Sequence, residues 1–202
     1  MENPNSSPGN PVSRRTALKL GLAGLVGVAV GGAVGGGSAA AIARLGRSAS
    51  TKYHFFTDDE AALLIEICEQ IIPDDDVPGA RQTGAIHYID RKLIGAYKRH
   101  QQDYRRGLEA FRQTCLREHG GKFESLSAGK KIDALRALEA GRAPQDLWDD
   151  PSPQAFFGTV LAHTMQSFYG SPRHGGNKDY ASYRMLGIDY PPVVGRNRPR
   201  KG

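Results

Sequence analysis

From Thr57 onward, apolar residues recur every three or four positions in separate stretches, and each stretch is bounded by residues that start or stop helices. Thr57-Asp58-Asp59-Glu60 reads as a capping box, a hydroxyl cap followed three residues later by a carboxylate. The helix it starts carries Leu63, Leu64, Ile67, Cys68, Ile71 and Ile72 on one stripe, and Pro73 stops it. "PDDDVPGARQTG" is a loop on its Pro, Gly and Asp content. The spacing predicts a second helix from about Gly84 to His100, with Ile86, Ile89, Leu93 and Tyr97 on one face. A third runs from about Gln102 to His119, with Tyr104, Leu108, Phe111 and Cys115 inward and Gly120-Gly121 after it. A fourth begins near Ser127, carries Ile132, Leu135 and Leu138, and has Gly141 placed as its C′ residue. A fifth follows Pro153, holds Phe156, Phe157, Val160, Leu161, Thr164 and Phe168, and is closed by Gly170-Ser171-Pro172.

No stretch alternates as a strand would, and no hairpin dipeptide joins two such stretches. The fold class is therefore all-α, an irregular bundle of about five helices, with no internal repeat. The segment from Ser171 onward differs: it is rich in Gly, Pro and Arg, and only Tyr180–Leu186 suits a short helical turn. It reads as an extended Gly/Pro-rich C-terminal arm, either disordered or ordered against a partner.

The other anomaly lies at the start. Met1–Val12 is rich in Asn, Pro and Ser and is expected to be disordered. Ser13-Arg14-Arg15-Thr16-Ala17-Leu18-Lys19 follows, and then Leu20–Ala43, nearly all Gly, Ala, Val and Leu with eight glycines. This resembles a twin-arginine export signal at Ser13, Arg14, Arg15, Leu18 and Lys19, and departs from it at Ala17. Such a route carries folded chains, often with a partner already bound. The apolar run is long enough to span a bilayer, which takes about 20 residues. Ala41-Ile42-Ala43 suits a small-x-small cleavage site, so the leader is either cleaved there or kept as an anchor. Either way the working part is expected outside the cytoplasmic membrane of a bacterium, in the periplasm. The expected organisation is a signal peptide over 1–43, a linker over 44–54, a helical domain over 55–187 and a basic Pro-rich tail over 188–202.

Composition narrows the activities. Apolar residues are 39% of the 202, enough for one core. The net charge is +6, with basic and acidic residues interleaved, and neither a basic helix face nor a nucleic-acid motif appears, so nucleic acid is excluded as a partner. Di-iron bundles need Glu-x-x-His, and no glutamate has His three residues on. His87 and Asp90, one turn apart, form at most a weak metal pair and read better as a surface polar pair. Asp74-Asp75-Asp76 lacks the alternation and terminal Glu of a calcium loop. Cys-x-x-Cys-His, a dinucleotide-binding glycine motif and a Ser nucleophile elbow are all missing. Cys68 and Cys115 could form one disulfide, or each could be a small buried apolar residue. His163, among apolar neighbours, reads as a hydrogen-bonded structural histidine. No catalytic, cofactor-binding or metal motif survives.

Two linked stretches carry a resemblance. "FTDDEAALLIEICEQIIPDDDVPGARQTGAIHYIDRKL" has a helix ending in Ile71-Ile72-Pro73, an acidic turn at Asp74–Asp76, Pro78-Gly79-Ala80, Gly84, and a helix with Ile89-Asp90. "FFGTVLAHTMQSFYGSPRHGGNKDYASYRMLG" adds Phe156-Phe157, Phe168-Tyr169-Gly170, Pro172 and Gly175-Gly176-Asn177. In this order and spacing they resemble the small subunit of gluconate 2-dehydrogenase, the subunit 3 family, over about Phe55 to Leu186. The family commonly has Trp where Tyr183 stands. The resemblance implies a non-catalytic subunit that binds a large FAD-dependent dehydrogenase of the glucose–methanol–choline type, oxidising a sugar, polyol or sugar acid. It implies no cofactor in this chain, with FAD in the large subunit and haem c in a further, membrane-bound multihaem cytochrome c subunit. It implies export of the large subunit with this one through the twin-arginine (Tat) translocase. The Pro73–Gly84 loop and the Arg173–Tyr183 arm are the expected contacts, through Pro73, Asp74, Pro78, His174, Gly175, Gly176, Asn177, Tyr180 and Tyr183, because Gly/Pro/aromatic loops offer backbone groups and flat rings. The competing expectations are an independent periplasmic enzyme with dispersed Cys or His chemistry, and a chaperone-like protein with a different client.

Overall fold

The computed structural model describes residues 52–188. The leader with Arg14 and Arg15, most of the 44–54 linker and nearly all of the 188–202 tail lie outside the described residues. The described part holds six α-helices and no strand: α1 (Asp58–Ile71), α2 (Ala85–Leu93), α3 (Gln101–His119), α4 (Ala128–Glu139), α5 (Pro153–Tyr169) and α6 (Ala181–Leu186). Among the described residues, no helix is long and apolar enough to cross a membrane.

The local signals act as their chemistry requires. Thr57 and Glu60 complete the capping box, Glu60 Oε2 accepting from Thr57 N at 2.8 Å and Thr57 Oγ1 accepting from Glu60 N at 3.3 Å. Ser152 caps α5 by accepting from Ala155 N, with Pro153 at its first position. Gly120 ends α3 in the left-handed conformation. Gly141 does the same beyond α4, where its N–H donates to Leu138 O and the N–H of Arg142 reaches back to Ala137 O, the paired bonds of a Schellman motif.

Helix α5 lies at the centre and packs against α1, α2, α3, α4 and α6. Around it are buried Leu63, Leu64 and Ile67 of α1, Ile89 and Leu93 of α2, Tyr104, Leu108 and Phe111 of α3, and Leu138 of α4. Helices α3 and α5 meet at Gly107, where a Cβ would fall 2.1 Å from a carbon of the Phe156 ring. A glycine in a helix interior costs about 1 kcal/mol relative to alanine. Here it gives the aromatic ring its room.

Two sequence expectations are corrected. The helix predicted to run to His100 stops at Leu93: the N–H groups of Gly95 and Tyr97 both turn back to Lys92 O, at 3.0 and 2.8 Å, and a 3-10 turn at Lys98–His100 leads into α3. That break turns Tyr97 onto α5, where its ring stacks on His163 at 4.2 Å. The C-terminal arm is not extended through residue 188. It folds back onto the bundle, and the short helical turn expected over Tyr180–Leu186 is α6.

Candidate partner interface

The Pro73–Gly84 loop is closed by Glu69, the last carboxylate of α1. Its two oxygens accept from Asp74 N at 2.9 Å and Arg81 N at 3.0 Å, one near each end of the loop. Asp75 Oδ1 accepts from Val77 N at 3.1 Å, an Asx turn at the tip. Gly79 lies so tightly inside that a Cβ would meet Asp74 N at 2.5 Å and Ile72 O at 2.8 Å. Ala80 N then donates to Ile72 O, and Thr83 to Gly79 O. The loop is thus a preformed surface rather than a loose tether.

The arm is held by one side chain. Asn177 is fully buried; its Nδ2 donates to Gly170 O at 2.8 Å and its Oδ1 accepts from Ser182 N at 3.0 Å. Gly176 presses on α5 so closely that a Cβ would lie 2.2 Å from Ser167 Oγ. The hydroxyls of Ser167 and Ser182, buried at this junction, find no hydrogen-bond partner among the described residues. Asn177, Asp179 and Tyr180 all adopt positive φ, at 46°, 56° and 56°. Each such residue costs of order 1 kcal/mol or more, so the docking of Asn177 and α6 must hold the turn in place.

Loop and arm, about ninety residues apart in sequence, meet. Lys178 N donates to Thr83 O at 3.1 Å, and a Cβ on Gly84 would lie 3.1 Å from Gly175 O. Of the expected contacts, Asp74 and Pro78 are exposed, and Pro73, His174, Gly175, Tyr180 and Tyr183 are half-buried, with the two tyrosine rings 6.0 Å apart. Gly176 and Asn177 are a correction: both are buried inside this chain and hold the arm, so they offer a partner nothing directly.

The disulfide alternative is also corrected. Cys68 and Cys115 are free and buried, on different helices. Cys68 Sγ lies 3.2 Å from Thr164 Oγ1, and burial pushes both thiols up to about 12. A thiol in that range is not a nucleophile at neutral pH. His163 is the structural histidine expected: its Nδ1 lies 3.0 Å from Tyr104 OH, and burial, then His100 and Arg99, push its pKa down to about 4. Asp90, expected in a surface polar pair with His87, is instead buried, and its carboxylate accepts three backbone N–H bonds, from His54, Phe55 and Phe56 at 2.9–3.2 Å. Among the described residues no three His, Cys, Asp or Glu side chains gather as a metal site.

The family model for gluconate 2-dehydrogenase subunit 3 matches residues 58–189, from the first turn of α1 to just beyond α6. The chain belongs to the gluconate 2-dehydrogenase subunit 3 family. The family is one of subunits of a dehydrogenase complex, and both loop and arm lie within the matched span. Among the curated proteins and the solved structures, none matches the chain.

Sequence reasoning missed the clamp at Asp90 and the partner of Glu60. Arg105 of α3 bonds both Glu60 and the carbonyl of Phe55, with its guanidinium 3.9 Å over the Phe55 ring. Together Asp90 and Arg105 tie down the segment before α1, including Tyr53, which is buried and stacks on His87, and His54, both assigned to the linker on sequence. The only sequence signal was Asp90 itself, an acid on the apolar side of α2.

Proposed function

We propose that this chain is the non-catalytic small subunit of an exported, membrane-associated FAD-dependent dehydrogenase of the glucose–methanol–choline type, acting on a sugar, polyol or sugar acid. Membership of the subunit 3 family over residues 58–189 carries this reading. The leader with Arg14 and Arg15 directs this subunit and its folded flavoprotein partner to the twin-arginine translocase, and the pair works in the periplasm beside a multihaem cytochrome c subunit that accepts the electrons. FAD and haem belong to those partners.

The shape of the chain supports the reading. The joined loop and arm form a preorganised surface, with Asp74 and Pro78 exposed and His174, Gly175, Tyr180 and Tyr183 half-buried. Preorganisation lowers the ordering cost of association. The buried, high-pKa thiols argue against an independent thiol enzyme.

The test is co-purification. The tagged chain, recovered from the periplasm or membrane of its host, brings with it a larger yellow flavoprotein. Removing residues 1–43 leaves that flavoprotein in the cytoplasm. A colourless monomer with a turnover of its own would overturn the reading, and a flavoprotein still exported without the leader would remove the carrier role.

A further inference from the structure

Five basic side chains among the described residues are matched to acids. Arg81 and Lys131 share Glu66, Arg105 takes Glu60, Arg112 takes Glu109, and Arg117 takes Asp146. Others make no ion pair among the described residues, and three of these lie together. Where the arm crosses α2, Gly175 comes down beside Arg91, so that a Cβ on the glycine would lie 3.4 Å from the guanidinium carbon. Arg173 Nε donates to His174 Nε2 at 3.2 Å. Lys92 holds its ammonium 5.4 Å over the Tyr88 ring and 6.0 Å over the Tyr97 ring. None of Arg91, Lys92 and Arg173 takes part in an ion pair among the described residues. Asp90, the acid just before Arg91 on α2, has its carboxylate turned inward onto three backbone N–H groups.

We propose that Arg91, Lys92 and Arg173, gathered around His174 at the crossing of α2 and the arm, form a cationic docking surface for a carboxylate-rich patch on the large dehydrogenase subunit. This rests on the subunit reading above. Like charges brought together without counter-ions raise the energy of the isolated chain, and an acidic partner removes that cost on binding. The two arginines are exposed and offer planar donor forks, which suit carboxylates in bidentate pairs. The patch is continuous with the loop-and-arm surface, since Arg173 and His174 belong to the arm itself. The positive field is felt locally: burial, then Lys92, Arg173 and Arg91, hold His174 below the usual imidazole range.

The test uses the full chain and the flavoprotein that co-purifies with it. Arg91→Glu combined with Arg173→Glu is expected to weaken the complex by about 100-fold and to flatten its salt dependence. Melting of the isolated double variant should be unchanged or higher, because reversal relieves like-charge crowding. Arg91→Lys with Arg173→Lys keeps the charge and loses the forks; it is expected to weaken binding by about 10-fold with the salt dependence intact. If the parent chain co-purifies with the flavoprotein and charge reversal leaves the affinity untouched, the docking surface is wrong while the subunit reading stands. If phosphatidylglycerol vesicles, and not the flavoprotein, bind the parent and lose the double variant, the patch serves a membrane and the proposal fails.

Discussion

The backbone N–H of Lys178 donates to the carbonyl oxygen of Thr83 at 3.1 Å, and through this bond the arm after α5 is seated on the loop after α1. Each segment is closed internally before they meet: the loop by Glu69, the arm by Asn177. The surface they form therefore inherits the rigidity of the bundle beneath.

Asn177 is the point at which this arrangement is most easily undone. Asn177→Ala removes a donor and an acceptor from a buried position and leaves Gly170 O and Ser182 N without their partner, at about 1–3 kcal/mol. The arm should then open while the five longer helices stay folded. Limited trypsin digestion is expected to cut the variant at Lys178 and Arg184 well before the parent, and helical circular dichroism to change little.

Asp90 faces three backbone N–H groups, and only a carboxylate offers acceptors on both sides. Asp90→Asn turns an NH₂ toward one of those donors and is expected to destabilise the fold by about 2–3 kcal/mol. The segment carrying Tyr53 to Phe56 should loosen first. Hydrogen exchange of the Phe55 and Phe56 amides, 2.9 and 3.2 Å from Asp90 Oδ1, reads this directly.

Two helical glycines should respond in opposite directions. Gly107→Ala drives a methyl into the Phe156 ring and is expected to cost about 1–3 kcal/mol despite the better helix propensity of alanine. At Gly158 of α5 an added Cβ meets nothing within 4 Å, so Gly158→Ala should stabilise by up to about 1 kcal/mol. Thermal melts of the two variants beside the parent decide it.

Acid should weaken the fold through His163. Its pKa falls from 6.5 to about 4 on folding, so between those values the unfolded chain binds more protons. The stability held by the neutral imidazole is whole above pH 6.5 and is lost as pH falls toward 4, by about 3 kcal/mol at most. The groups facing it are Tyr104, Tyr97, His100 and Arg99. His163→Gln removes the titration, so its stability should vary less between pH 7 and 4. Some slope remains, because His87 and His174 are lowered in the same direction. A chemical-denaturation series across that range, with equal slopes for parent and variant, would refute the assignment.

Much of the helical layout is legible in the sequence because its determinants are local. A cap such as Thr57 with Glu60, a stop such as Pro73 and a left-handed glycine such as Gly141 act over a single turn, and apolar spacing fixes which face is buried. The all-α class, the boundaries of α1, α3, α4 and α5, and the burial of His163 are all read at that range. What stays hidden is set by groups far apart in the chain. The end of α2 at Leu93 places Tyr97 against His163 of α5, where a periodicity that continues to Tyr97 would have kept it on the helix. The apartness of Cys68 and Cys115, the inward turn of Asp90 and the burial of Gly176 and Asn177 are likewise properties of which helices touch. A Gly/Pro-rich arm looks unable to fold because it buries little surface of its own. Here α5 supplies the surface it lacks, and a long-range partner of that kind leaves no periodic trace in sequence.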